Sequence, residues 1–218
     1  IYTDAIDTQR APGGRLDESV WNTTASLEYQ PYFYSKTVAE RAAWEIAEAQ
    51  GRWTLVTVNP AMVLGPAIGG KATSESFNMM RQAADGTMKR GAPRFGWGVV
   101  DVRDLAQAHL AAGFLPNANG RNIIVGHEDN LLDTLLLLQD RFGATLPLPK
   151  KAAPKWLVWL LAPMMGMERR FVAGSVNVPW KADNSKGKRE LGVTYRPLKE
   201  TMEDMFQYMV DTGYFAKP

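Results

Sequence analysis

An α/β fold built on a parallel sheet is expected from three features of the chain. β-rich runs alternate with helical stretches as far as residue 126. The run WTLVTV at 53–58 carries apolar residues on both parities, as a parallel strand covered on both faces does. After Gly126 the pattern turns to helices and loops, so a smaller, mainly helical lobe is expected to follow the sheet.

The elements follow in order. IYTDA at 1–5 reads as the end of a strand running into a loop, and residues 7–31 as mostly loop. From about Pro31 to Gln50 the pattern is helical, with Ala39, Ala43 and Ile46 at three- and four-residue spacing and Gly51 as the stop. The next strand ends at Asn59-Pro60, and a second helix is expected over 74–86. GWGVV gives a short strand and 101–112 a helix, where Asp101 and Asp104 resemble a capping box. RNIIVG supplies another strand; LLDTLLLLQDRFG, SKGKREL closed by Gly192, and a last helix from Pro197 to about Thr212 complete the pattern. WLVWLLAPMMGM, 156–167, is too short to cross a bilayer, which takes about 20 apolar residues. It is expected as a buried helix broken near Pro163, ahead of an interfacial anchor, and its Met and Trp content also suits a pliable wall of a substrate pocket.

Composition removes several chemistries. There is no cysteine, and His109 and His127 are the only histidines, so disulfides, thiolate nucleophiles and a histidine-held zinc are not expected. A net charge of +2 leaves no footprint for nucleic acid; the scattered cations Lys150, Lys151, Arg169, Arg170, Lys186, Lys188 and Arg189 read as solvated surface. With no signal peptide or spanning segment visible, a cytoplasmic protein without a membrane partner is expected.

One spacing carries chemistry. In YFYSKTVAE, Tyr32 lies four residues before Lys36 and Tyr34 only two. Residues four apart share a helix face and residues two apart do not, so Tyr32 is the tyrosine that can stand beside the ammonium. A cation within about 4–6 Å of a phenol favours the tyrosinate, which makes such a pair a usable general acid and base. The spacing alone is a weak signal, because Tyr195 and Lys199 repeat it; there Pro197 should start a helix after Tyr195.

Context strengthens the first pair. YFYSKTVAERAAWEIAEAQG, then VNPAMVLGP, WGVVDVRDLAQAHLAA and ADNSKGKRELGVTYRPLKETMEDM, with LDESVW upstream, resemble the extended short-chain dehydrogenase/reductases. Within that superfamily the chain is similar to the branch of dihydroflavonol-4-reductases and cinnamoyl-CoA reductases. The resemblance implies the C-terminal part of a Rossmann-like parallel sheet with a helical substrate lobe. Residues 1–126 would belong to the NAD(P)-binding domain, with about 66–96 contributing to the substrate lobe, and 127–218 would form that lobe. It further implies that Tyr32 protonates a substrate carbonyl, that Lys36 holds the nicotinamide ribose, and that Pro60 and the Val63 backbone pass the carboxamide. A second hydroxyl is expected from Thr3, although an ungapped alignment sets Asp4 there, and a carboxylate would oppose a developing alkoxide. Arg103 and Asp104 would support the site from behind.

No Gly-x-Gly-x-x-Gly or Gly-x-x-Gly-x-x-Gly turn follows a strand, and GPAIGG at 65–70 follows the wrong one. The chain is therefore expected to be the C-terminal portion of a reductase and to bind cofactor weakly by itself. NADP(H) is the expected cofactor ahead of NAD(H), with a small carbonyl compound as substrate and room for a homodimer. A nucleotide-sugar epimerase or dehydratase, and a non-catalytic protein that keeps the fold, are the competing expectations.

Overall fold

The computed structural model describes residues 5–215. Two parallel strand pairs form its frame. β1 (Val56–Pro60) pairs in parallel with β4 (Gly120–Ile124), Asn59 opposite Ile123. β2 (Met62–Leu64) pairs in parallel with β3 (Gly96–Asp101), whose other edge takes β5 (His127–Asn130) antiparallel. The expected parallel pairing is present, in a two-stranded sheet (β1-β4) and a three-stranded one (β2-β3-β5) with an antiparallel edge. Val56, Thr57 and Val58 are only half-buried, so β1 is not sealed on both faces by the described residues.

Helices surround these strands. α1 (Ala5–Arg10) and a 3-10 turn at Pro12–Gly14 occupy part of the stretch expected as loop. α2 (Pro31–Glu48) begins with proline at its first position, where the missing N–H is not needed. Its buried positions are Thr37 and Ala47, with Glu40 and Trp44 half-buried between them. Ala39 and Ile46 are exposed, so the periodicity expected from Ala39, Ala43 and Ile46 does not mark the packed side. A polar residue holds this helix to the sheet, and apolar spacing does not report such an anchor.

α3 (Glu75–Ala84) and α10 (Leu198–Asp211) are amphipathic and share the main core with α5 (Leu131–Leu136) and α6 (Gln139–Phe142). Met80, Leu135, Leu138, Met202, Met205, Phe206 and Met209 are wholly buried there, against Leu64 and Val99 of the strands. LLDTLLLLQDRFG thus forms two short helices.

α4 (Val102–Phe114) is capped by Asp101, whose carboxylate accepts from the Arg103 backbone N–H. The capping box expected there is incomplete. Asp104 does not turn back to the cap; it receives the Arg196 guanidinium and backbone N–H. Arg103 in turn bridges Asp101 at 2.8 Å and Asp204 at 2.7 Å. This ionic network fastens the β3–α4 corner to α10 and the residue before it.

α7 (Lys155–Leu161), a 3-10 turn at Ala162–Met165 and α8 (Arg169–Ser175) form a separate small cluster around Val158, Ala162, Val172 and Val176. The expectation of a buried helix here is overturned. Trp156, Trp159, Leu160, Leu161, Met164 and Met165 face solvent. α9 (Ser185–Leu191) ends at Gly192 with φ 64°, the left-handed conformation in which glycine carries no Cβ penalty. Its start uses Asp183, whose carboxylate accepts from the Ser185 N–H, while Asn184 donates to the Val125 carbonyl.

Candidate active site

The Tyr32–Lys36 pair lies on the first two turns of α2, as the spacing predicts. Lys36 Nζ is 5.7 Å from the Tyr32 ring centroid, and Tyr32 is 61 % exposed. Gln30, just before the helix, has φ 53° and ψ 54°. This left-handed conformation is costly for a residue with a Cβ, so the entry to the pair is strained.

One helical turn beyond Lys36, on the same face, Glu40 anchors α2. Its carboxylate takes Arg121 in a fork (2.9 and 3.3 Å), the Asn59 amide at 3.1 Å and the Thr57 hydroxyl at 3.0 Å. Burial acts to raise the Glu40 carboxyl, but the Arg121 hydrogen bond and charge, with Asn59 and Thr57, outweigh it and hold it below its ordinary value. Arg121 also donates to the carbonyls of Glu18 and Val20 and lies 4.0 Å over the Trp21 ring. The LDESVW block is thereby explained as a clamp on β4, with Glu18 accepting from the Ile123 N–H as well. No feature at the level of motifs pointed to Glu40 or Arg121; the contact spans 81 positions of sequence.

The direction of α2 follows. The connection 49–55 turns the chain back, so helix and strand run oppositely, and Glu40 stands level with Thr57 and Asn59. Lys36 and Tyr32 therefore lie beyond the Pro60 end of β1, the carboxyl end, where parallel α/β sheets place their ligands. Pro60 closes β1, and Val63 sits in β2 opposite Val100, its side chain half-buried against the core. Thr3 and Asp4 lie outside the described residues.

Trp180 and Ala61, the residue after Pro60, pack in one apolar cluster. A Cβ on Gly98 would overlap the Trp180 ring and come within 2.9 Å of Ala61, so glycine is what lets the indole reach Ala61. Trp180 also lines an open cleft of about 450 Å³ with Arg94, Gly96, Glu128, Asp129 and Lys181. Burial, and next the neighbouring Asp133 charge, push the Asp129 carboxyl up.

The second Tyr-x-x-x-Lys is disposed of by its surroundings. Tyr195 precedes α10, and burial pushes its phenol up to about 12, the opposite of what an acid–base group needs. Lys199 pairs with Asp140 at 3.0 Å instead. His109 bonds the Leu105 carbonyl of its own helix.

The chain is 28 % identical over 216 residues to cinnamoyl-CoA reductase 1 of Arabidopsis thaliana, covering 97 % of this chain and 56 % of that protein. It is 29 % identical over 194 residues to the NADPH-dependent methylglyoxal reductase of Saccharomyces cerevisiae, covering 85 % and 52 %. Tetraketide alpha-pyrone reductase 1 of Arabidopsis thaliana is 27 % identical over 207 residues, so these three relatives are all reductases. In fold, the chain matches yeast methylglyoxal/isovaleraldehyde reductase complexed with NADPH at a TM-score of 0.63 and 26 % identity, covering 89 % of this chain and 56 % of that one. Alfalfa vestitone reductase matches at 0.68 and 20 %, covering 96 % and 63 %, which speaks for the fold alone. No family model matches. The chain spans about half the length of the curated relatives it matches.

Against the cofactor these relatives' names imply, the residues fit at one end. Tyr32 and Lys36 are both solvent-facing on one face of α2, a cation and a phenol open to a ligand. The described residues contain no glycine-rich strand-to-helix turn that would cradle a pyrophosphate.

Proposed function

We propose that the protein is an NADPH-dependent reductase of a small aldehyde or ketone. The observation that carries this is the Tyr32–Lys36 face of α2, fixed at the carboxyl end of the parallel strands by the Glu40–Arg121 fork. The names of the relatives, cinnamoyl-CoA reductase and NADPH-dependent methylglyoxal reductase, support the reaction class and favour NADPH over NADH.

When bound, NADPH supplies the hydride to the carbonyl carbon. Tyr32 holds the proton at Oη and delivers it to the carbonyl oxygen, so the product is an alcohol and no separate acid is needed. Lys36, on the same face and 5.7 Å from the Tyr32 ring centroid, would hold a ribose hydroxyl and set its positive charge near that phenol. Pro60 and the backbone at Val63 would flank the carboxamide. Thr3 is the proposed second hydroxyl at the carbonyl oxygen. This reading places the reaction in the cytoplasm.

The test is NADPH oxidation by the full-length protein over a panel of aldehydes and ketones, with nucleotide-sugars run in parallel. Turnover of a carbonyl compound is expected, and Tyr32→Phe should lower kcat by about 100-fold or more, the usual share of general acid catalysis. Unchanged turnover in that variant would remove Tyr32 from the chemistry. Turnover of nucleotide-sugars alone would favour an epimerase or dehydratase.

A further inference from the structure

The exposed segment at α7 is absorbed by neither the core nor the proposed site. Trp156, Trp159 and Leu160 stand three and four residues apart, so they share one side of α7, while Val158 and Ala162 fill the buried side. Met164 and Met165 extend the apolar face into the 3-10 turn. Exposure reaches 67 % at Trp156 and 86 % at Met164, unusual for side chains of this kind when gathered in one place.

A cationic rim adjoins this face. Lys150 and Lys151 precede α7 and are exposed. The Ala92 N–H donates to the Lys151 carbonyl and the Ala153 N–H to the Ala92 carbonyl, which brings exposed Lys89 and Arg90 alongside them. At the other end Arg169 lies 4.5 Å over the Trp159 ring. Residues 150–170 hold five basic residues and one acid, a net +4 in a chain of net +2. Among the described residues, the ion pairs engage other cations than these.

We propose that this face docks on an anionic lipid surface. Tryptophan settles at the boundary between headgroup and acyl chain, and lysine and arginine beside it are drawn to anionic headgroups. α7 is too short to span, and no helix among the described residues is long and apolar enough to do so, so the segment lies in the plane of the interface. Charge complementarity selects this occupant over a second copy. A two-fold contact through the same patch would set one +4 segment against another. The proposal departs from the expectation of no membrane partner, which rested on the absence of a spanning segment; an in-plane contact needs none.

Flotation of the full-length protein with vesicles of phosphatidylcholine, with and without phosphatidylserine, tests the proposal. Binding should be at least about tenfold stronger with phosphatidylserine and should weaken with salt. The pair Lys150→Glu and Lys151→Glu should lower it by about tenfold or more. Met164→Ser, at a position too exposed to disturb folding, should lower it as well. Absence of flotation, or equal flotation on both vesicles, would overturn the proposal. So would self-association of the unmodified protein that Met164→Ser abolishes without any vesicle binding.

Discussion

Gly96 and Gly98 show how single positions shape the ground behind the site. A Cβ on Gly96 would overlap the Val178 carbonyl and approach the Trp180 N–H at 2.8 Å, both backbone atoms with little room to give. One on Gly98 meets the Trp180 ring, a side chain that can shift. Gly96→Ala should therefore cost about 3 kcal/mol of stability, at the upper end for overpacking, and Gly98→Ala less. Gly98→Ala should instead move the indole away from Ala61, and intrinsic tryptophan fluorescence with denaturant melts would check both. Tyr32 belongs to this scale too: its pairing with Lys36 was legible from spacing because a helix fixes which residues share a face. The strained Gln30 before it was not legible, since a left-handed glutamine leaves no mark in composition.

Among the elements, α2 depends on a buried polar contact. Glu40 and Arg121 are largely buried, with side-chain exposures of 9 % and 17 %, so removing one partner leaves the other charge uncompensated. Arg121→Ala should cost about 3 kcal/mol, the lower end for breaking a buried pair, and should weaken turnover because Tyr32 and Lys36 ride on the same helix. Replacing both partners, Glu40→Gln with Arg121→Met, should recover part of that loss, since no lone charge then remains; a double-mutant cycle on the thermal midpoint reads the coupling. The boundaries of α2, α9 and α10 were close to legible because proline and glycine punctuate them. The packed side of α2 was not, and α7 was misjudged for a related reason. Its apolar run has the composition of a core helix, and exposure is decided by what the rest of the chain does or does not lay over it.

For the molecule as a whole, acid is the condition that should loosen the two ionic anchors together. Burial opposes ionisation of Glu40 and of Asp101, but Arg121 in one case and the Arg103 side-chain and backbone hydrogen bonds in the other hold both carboxyls below their ordinary values of 4.5 and 3.8. A depressed folded-state pKa means the stabilisation is in place above those values and is lost as pH falls through the lower, folded ones. Denaturation midpoints measured from pH 6 downward should fall most steeply below about pH 4.5, the upper of the two ordinary values. Glu40→Gln should flatten that fall, because one of the two titrating anchors is gone. A profile unchanged by the substitution would show that Glu40 carries none of it.

The sequence by itself determined the alternation of strands and helices, the ends of most helices and which tyrosine, Tyr32, stands on one helix face with Lys36. Each rests on local geometry: the period of a helix or strand, the fixed φ of proline, the freedom of glycine. Tertiary structure alone decided that Glu40 meets Arg121, that Trp180 reaches Ala61 past Gly98, and that the tryptophans of α7 face outward. These depend on which distant segments are brought together, and on what lies above a surface once they are, and neither is a property of neighbours along the chain.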